Sequence, residues 1–171
     1  MYIKNPMEIE NKIMDIIEEV MADTSFTEEE KIVAKRMIHT TGDFEYRKII
    51  VFKNNFLEEA KTAIKEGGTI YTDTKMAYMG INKKALSKTN CELKNLIDEE
   101  KVFNMSKELN TTRSAAAIDL AVESGIDMFV IGNAPTALFR LLELVKNGKV
   151  DPKFIVGVPV GFVGAKESKE Y

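Results

Sequence analysis

Cysteine and histidine each occur once in the 171 residues, as Cys91 and His39, tryptophan is absent, and there are 4 prolines. One thiol cannot form an internal disulfide, and one Cys with one His cannot build a zinc site from those ligands. No apolar run approaches the ~20 residues of a membrane span. The opening stretch, Met1-Tyr-Ile-Lys-Asn-Pro6, lacks the apolar segment of a secretory signal. Nor does one sign of charge dominate: 24 Lys and Arg stand against 27 Asp and Glu, a net charge of −3, with both signs mixed along the chain. Such a surface offers no cationic field to a polyanion, so no nucleic-acid or membrane partner is expected, and a cytoplasmic location is. Hydrophobic residues make up 44%. A chain of this length buries ~70% of its unfolded surface, so it folds as one ordinary domain without disulfides or structural metal.

The apolar residues that are present fall into two patterns. Ile9, Ile13, Ile16, Ile17 and Val20 mark one face of a helix over 7–21. After the break at Asp23-Thr-Ser-Phe26, Thr27 with Glu30 three residues on reads as a capping box. The helix it opens runs to about Thr40, and Gly42 ends it. From there short apolar runs alternate with amphipathic ones. Lys48–Phe52 reads as a strand or buried segment and 54–66 as a helix ended by Gly67 and Gly68. Thr69–Asp73 is a strand, 74–79 a short helix, and Cys91–Leu96 a weaker strand. A helix over 112–124, a strand over 127–131, a helix over 134–146 opened by Pro135, and a strand over 153–158 follow, with a last helix beginning near Gly164. Short, continuously apolar strands separated by helices imply an α/β fold: a mainly parallel sheet with helices on both faces, preceded by an N-terminal helical pair.

Ligands of open α/β sheets bind beyond the carboxyl ends of the strands. The residues there are Asp73-Thr-Lys75, Gly132-Asn-Ala-Pro-Thr136 and Val158-Pro-Val-Gly-Phe-Val-Gly164. The last two are Gly-bearing and open helices, whose first N–H groups suit carboxylates or phosphates; ordinary turn chemistry explains them equally. Neither has the spacing of a P-loop or a dinucleotide fingerprint. On the second helix, Arg36, His39, Thr40 and Asp43 share one face, with Val33, Ala34, Met37 and Ile38 on the other side. This polar stripe is either solvated surface or a site, and imidazole suits general acid–base work near neutral pH. In Asn110-Thr-Thr-Arg-Ser-Ala-Ala-Ala117, the alanines permit close approach of a ligand or simply of a neighbouring helix. Arg113, a cation at a helix N-terminus, calls for an anion beside it.

Four strings, Arg36-Met-Ile-His-Thr-Thr-Gly-Asp-Phe44, Asn110–Ala117, Gly132-Asn-Ala-Pro-Thr-Ala-Leu-Phe139 and Gly157-Val-Pro-Val-Gly-Phe-Val-Gly-Ala-Lys-Glu-Ser-Lys169, resemble the precorrin-8X methylmutases, also called precorrin isomerases or cobalt-precorrin-8 methylmutases. The resemblance runs from about Ile9 to the end. It implies an α/β homodimer of vitamin B12 biosynthesis that moves a methyl group between neighbouring carbons of a corrin, a tetrapyrrole substrate. The family's catalytic histidine falls on His39 and its substrate-contacting arginine on Arg36. Thr40, Arg113, Ser114, Asn133, Gly161 and Phe162 are expected to meet the substrate: Arg36, Arg113, the Thr40 hydroxyl and the helix N-termini after Gly132 and Gly161 its carboxylates, and Phe162, Val160 and Ala115–Ala117 its flat apolar faces. No cofactor and no protein-bound metal is expected, any cobalt belonging to the substrate. Ile13 stands where the family often has serine. The family also continues beyond the equivalent of Tyr171, so the resemblance implies a single domain over 1–171 lacking the family's last strand and helix.

Two further readings compete. One is a non-catalytic corrinoid-binding protein, a truncated homologue that holds the ring without converting it. The other, drawn from the residues without the resemblance, is an unrelated acid–base enzyme or phosphate-binding α/β module.

Overall fold

The computed structural model describes residues 2–171. Its internal contacts gather into two compact units, one ending at Leu57 and the other starting at Glu58.

The first unit is helical. Asn5 caps α1 (Pro6–Met21), its Oδ1 accepting from the Met7 amide at 2.9 Å, with Pro6 preset for the first turn. α2 (Glu28–Thr41) opens on the expected capping box: Glu30 N–H donates to Thr27 Oγ1 at 3.3 Å, and Thr27 N–H to Glu30 Oε2 at 2.8 Å. Gly42 closes it in the left-handed conformation, φ 67°. Ile17 and Met21 of α1 pack with Ala34 and Ile38 of α2, flanked by Ile13, Phe26, Tyr46 and Ile50. An ion pair between Lys35 and Glu18 joins the two helices outside that core. The apolar stripe of α1 is only partly used, since Ile9 and Ile16 stay exposed.

Here one expectation fails. Lys48–Phe52 forms neither a strand nor a buried segment. One helical turn, α3 (Tyr46–Ile49), gives way to unpaired extended chain in which Ile49 and Val51 face solvent while Ile50 and Phe52 are half-buried. Phe52 meets Phe26 edge to face at 5.7 Å. The run alternates like a strand, but its backbone enters none of the sheet's ladders.

α4 (Phe56–Glu66) contains the boundary between the units. It is followed by β1 (Gly68–Thr72), α5 (Lys75–Gly80), α6 (Lys83–Leu86), β2 (Cys91–Lys94), α7 (Glu100–Glu108), α8 (Arg113–Glu123), β3 (Met128–Ile131), α9 (Pro135–Lys146), β4 (Phe154–Gly157) and α10 (Ala165–Glu170). The strands form one sheet in the order β2-β1-β3-β4, every pair parallel. The chain moves one way from β1 to β2, then reverses across β1 to reach β3 and β4. With right-handed crossovers this reversal puts α5 and α6 on one face and α7, α8 and α9 on the other. Burial agrees. The row Tyr71, Phe129 belongs to the core with Ala116, Ala117, Leu138 and Leu141, while the alternate row Ile70, Met128, Phe154 is also buried. A sheet covered on both faces explains strands that read as continuous apolar runs.

Candidate functional site

In the first unit, the polar face of α2 emerges as expected. Ala34 and Ile38 are buried, Arg36, Thr40 and Asp43 are exposed, and His39 lies half-buried one turn before the Gly42 cap. The Thr40 hydroxyl donates to the Arg36 carbonyl at 2.8 Å, which leaves its oxygen free to accept. Neither the His39 imidazole nor the Arg36 guanidinium has a hydrogen-bond or ion-pair partner among the described residues. A half-buried imidazole without an internal partner is available to a ligand. A cleft of about 360 Å³ in the same unit is lined by Asp23, Arg47 and Lys48 among others, and by none of the expected site residues. There Arg47 donates to the Val20 carbonyl at 3.0 Å, bracing the end of α1.

In the second unit, the other expected residues sit at the carboxyl-end rim of the sheet. Thr112 caps α8, accepting from the Ala115 amide at 3.2 Å, and its hydroxyl donates to Thr136 Oγ1 at 2.9 Å. The openings of α8 and α9 are thereby joined side by side. Arg113 is exposed and Ser114 half-buried on the first turn of α8. The alanines resolve in favour of packing: Ala115, Ala116 and Ala117 are 5%, 0% and 0% exposed, with Ala116 and Ala117 inside the core. They form no ligand wall. Asn133 is exposed ahead of α9, and beyond β4 the chain exposes Val160, Gly161 and Phe162, the phenyl ring entirely. Gly161 lies at φ 134°, where a side chain is strained.

Two acidic residues assigned no role from the sequence organise this rim. Asp98 pairs with Lys75 and also feels the charge of Arg113. The hydrogen bond from Lys75 and then its charge hold the Asp98 carboxyl below its ordinary value against an opposing desolvation, and the charge of Arg113 adds the smallest part. Asp73 is buried at 1% exposure. Its Oδ1 accepts from the Gly132 amide at 2.9 Å, and its Oδ2 from Asn133 at 2.9 Å and Ala134 at 2.7 Å. The N–H groups ahead of α9, expected to await a substrate carboxylate, are thus occupied by the protein's own. The helix after Gly161 is six residues long and offers little dipole. Burial and then the Asp73 charge push the neighbouring Tyr71 hydroxyl up, and that hydroxyl has no partner among the described residues. The sequence signal for Asp73 was an acid directly after a strand, beside a threonine cap. No cluster of three or more His, Cys, Asp or Glu side chains able to hold a metal ion occurs among the described residues, and no helix among them is long and apolar enough to cross a membrane.

The sequence model described as precorrin-8X methylmutase matches residues 8–171. The cobalt-precorrin-8 methylmutase of Salmonella typhimurium is 44% identical over 176 aligned residues, covering 99% of this chain and 82% of its own. That of Methanocaldococcus jannaschii is 43% identical, covering 98% and 80%. A precorrin-8X methylmutase from Sinorhizobium is 38% identical, covering 99% and 80%. The crystal structure of precorrin-8X methylmutase from Thermus thermophilus superposes with a TM-score of 0.84 at 33% identity, over 96% of this chain and 80% of that one. With the parallel sheet, the His39 face and the rim loops in place, these similarities mean that the chain belongs to the precorrin-8X methylmutase family, isomerases of cobalamin biosynthesis.

Proposed function

We propose that this chain moves a methyl group from ring carbon eleven to ring carbon twelve of precorrin-8X or cobalt-precorrin-8, giving hydrogenobyrinate or cobyrinate, with His39 as general acid. What supports the reading is the chain's one histidine, half-buried and without a partner among the described residues, on the face of α2 it shares with Arg36 and Thr40. A sigmatropic shift needs no nucleophile and no electron carrier. An imidazolium that donates its proton to a ring nitrogen beside the migrating centre makes the conjugated system electron-poor and lowers the barrier. After migration the ring nitrogen returns the proton, so the imidazolium is regenerated. No cofactor is required, and cobalt, where present, enters with the substrate.

The substrate carries many carboxylates, for which Arg36 and Arg113 are forked cationic partners and the Thr40 and Ser114 hydroxyls and the exposed Asn133 neutral ones. Gly161 and Phe162 present backbone and an apolar ring to the macrocycle. The working form in this reading is a homodimer in the cytoplasm, for which the exposed Met7, Ile9, Ile16 and Ile32 offer apolar surface to bury. The decisive variant is His39→Asn. Because His39 holds nothing else in place, the variant is expected to keep the circular dichroism and sedimentation of the wild type. It should still shift the absorbance of the substrate on binding, yet produce no hydrogenobyrinate or cobyrinate spectrum. Turnover at the wild-type rate would end the assignment of His39.

A further inference from the structure

The four strand exits of the sheet are tied to one another by a continuous run of hydrogen bonds. Beyond β2, Asn95 Nδ2 donates to the Thr72 carbonyl at 2.7 Å, and Thr72 Oγ1 donates to the Lys94 carbonyl at 3.4 Å. Thr72 leads directly into Asp73, whose own amide donates to the Val130 carbonyl of β3 at 3.2 Å. The Asp73 carboxylate then gathers the amides of Gly132, Asn133 and Ala134. From there the Asn133 carbonyl accepts from the Val160 amide at 3.2 Å, beyond β4, and the Ile131 carbonyl accepts from Val158 at 2.9 Å. The middle of this run is the point where strand order reverses, between β1 and β3. The Asp73 carboxylate is the one charged group that bonds in the run, is 1% exposed, and accepts three of the bonds.

We infer that Asp73 is the positioning residue of the substrate rim: by fixing the Gly132–Ala134 amides it sets the Asn133 carbonyl, and through that carbonyl the Val160–Phe162 segment that receives the macrocycle. The inference rests on the reading of Asn133, Gly161 and Phe162 as substrate contacts. A carboxylate does this where an amide side chain cannot. Both of its oxygens accept, so three donors converge on it without conflict, while the NH₂ of asparagine would confront at least one N–H. Asp73 acts through backbone and touches no reacting atom, so its loss reaches binding before it reaches chemistry.

The test is Asp73→Asn in the full chain, read three ways against the wild type. KM for precorrin-8X is expected to rise about tenfold, the equivalent of one lost hydrogen bond to a charged acceptor, with kcat kept within about twofold. The Kd for hydrogenobyrinate, followed by absorbance, should rise in parallel. Amide exchange in the free protein should quicken at Val160, which Asp73 does not touch, as well as at Asn133. A purely structural carboxylate predicts the opposite split, a smaller active fraction that lowers kcat and leaves KM unchanged. That result, or unchanged exchange at Val160, overturns the inference. If Asp73→Asn does not fold, Val160→Pro removes the last N–H of the chain of bonds at an exposed position. It should raise KM by several-fold, on the order of one neutral hydrogen bond, and an unchanged KM overturns the inference equally. A wild type that turns over neither precorrin-8X nor cobalt-precorrin-8 and binds neither hydrogenobyrinate nor cobyrinate would instead overturn the functional reading, a result no Asp73 variant can produce.

Discussion

Replacing Gly67 by alanine tests how the sheet is anchored at its other end, before β1. Gly67 sits at φ 90°, and a Cβ there would lie 2.7 Å from Asn90 Cβ and 2.9 Å from the Asn90 carbonyl oxygen. The same carbonyl accepts from the Gly68 amide at 3.3 Å, beside the pair Gly68–Cys91 that starts the β1–β2 ladder. Two costs therefore add. A left-handed backbone costs a non-glycine residue ~1–2 kcal/mol. Displacing a backbone carbonyl that cannot rotate away costs a further ~1–3 kcal/mol, as overpacking does. The expected loss is ~2–5 kcal/mol, a large share of the ~5–15 kcal/mol that holds a typical domain folded. Gly125→Ala and Gly148→Ala are internal controls. Both glycines have positive φ, 75° and 63°, and neither has an atom within 4 Å of the new Cβ, so each pays only the first cost. Urea unfolding followed by far-ultraviolet circular dichroism should rank Gly67→Ala at least ~1 kcal/mol below both controls. Three equal losses would show that conformation alone sets the cost and that the Asn90 contact is relieved without penalty.

Two other consequences are directly measurable. Phe162→Ala removes a ring that is fully exposed, so its unfolding free energy should match the wild type within ~0.5 kcal/mol while KM for precorrin-8X rises; a loss of stability above that range would mean the ring is buried in solution. The Asp98 carboxyl, followed by carbon NMR, should titrate below its ordinary range and move up in Lys75→Gln, with a smaller depression left by Arg113. The sign follows from linkage: a carboxyl depressed in the folded state contributes stability above its unfolded pKa and loses it as pH falls through the lower, folded value. An Asp98 curve identical in the variant would refute the Lys75 pairing.

What the sequence disclosed well was local. The Thr27–Glu30 box, the Pro6 and Pro135 starts and the stops at Gly42, Gly125 and Gly148 each work within one turn of chain, so residue types alone carry them. Lys48–Phe52 was misleading because strand propensity describes a side chain's fit to a pleated surface, and here no neighbouring strand supplies one. The helix α7 went unread because its apolar positions are poorly separated: Val102 is buried but Phe103 beside it is half exposed. Of the site, the α2 face was legible from helical spacing. The role of Asp73 was not, because its partners lie about sixty residues away and come together only once β1 and β3 are neighbours. An acid following a strand is too common to announce such a pairing.

The occupied amides also constrain how a polyanionic ring is held. The Gly132-Asn-Ala-Pro135 turn has the composition of an anion-binding loop, and it does bind an anion, the Asp73 carboxylate. A second carboxylate placed within ~4 Å of the first would be repelled by roughly 4 kcal/mol at the effective dielectric of a protein surface. That exceeds the ~1 kcal/mol that the end of a helix offers an anion. On the proposed function, substrate carboxylates are therefore drawn to side-chain cations. On the rim those are Arg113, which has no ion pair among the described residues, and Lys75, which is paired with Asp98. Arg36 on α2 has no counter-ion among the described residues. In this fold the backbone anion site builds the rim, and the proposed function leaves recognition of substrate charge to side chains.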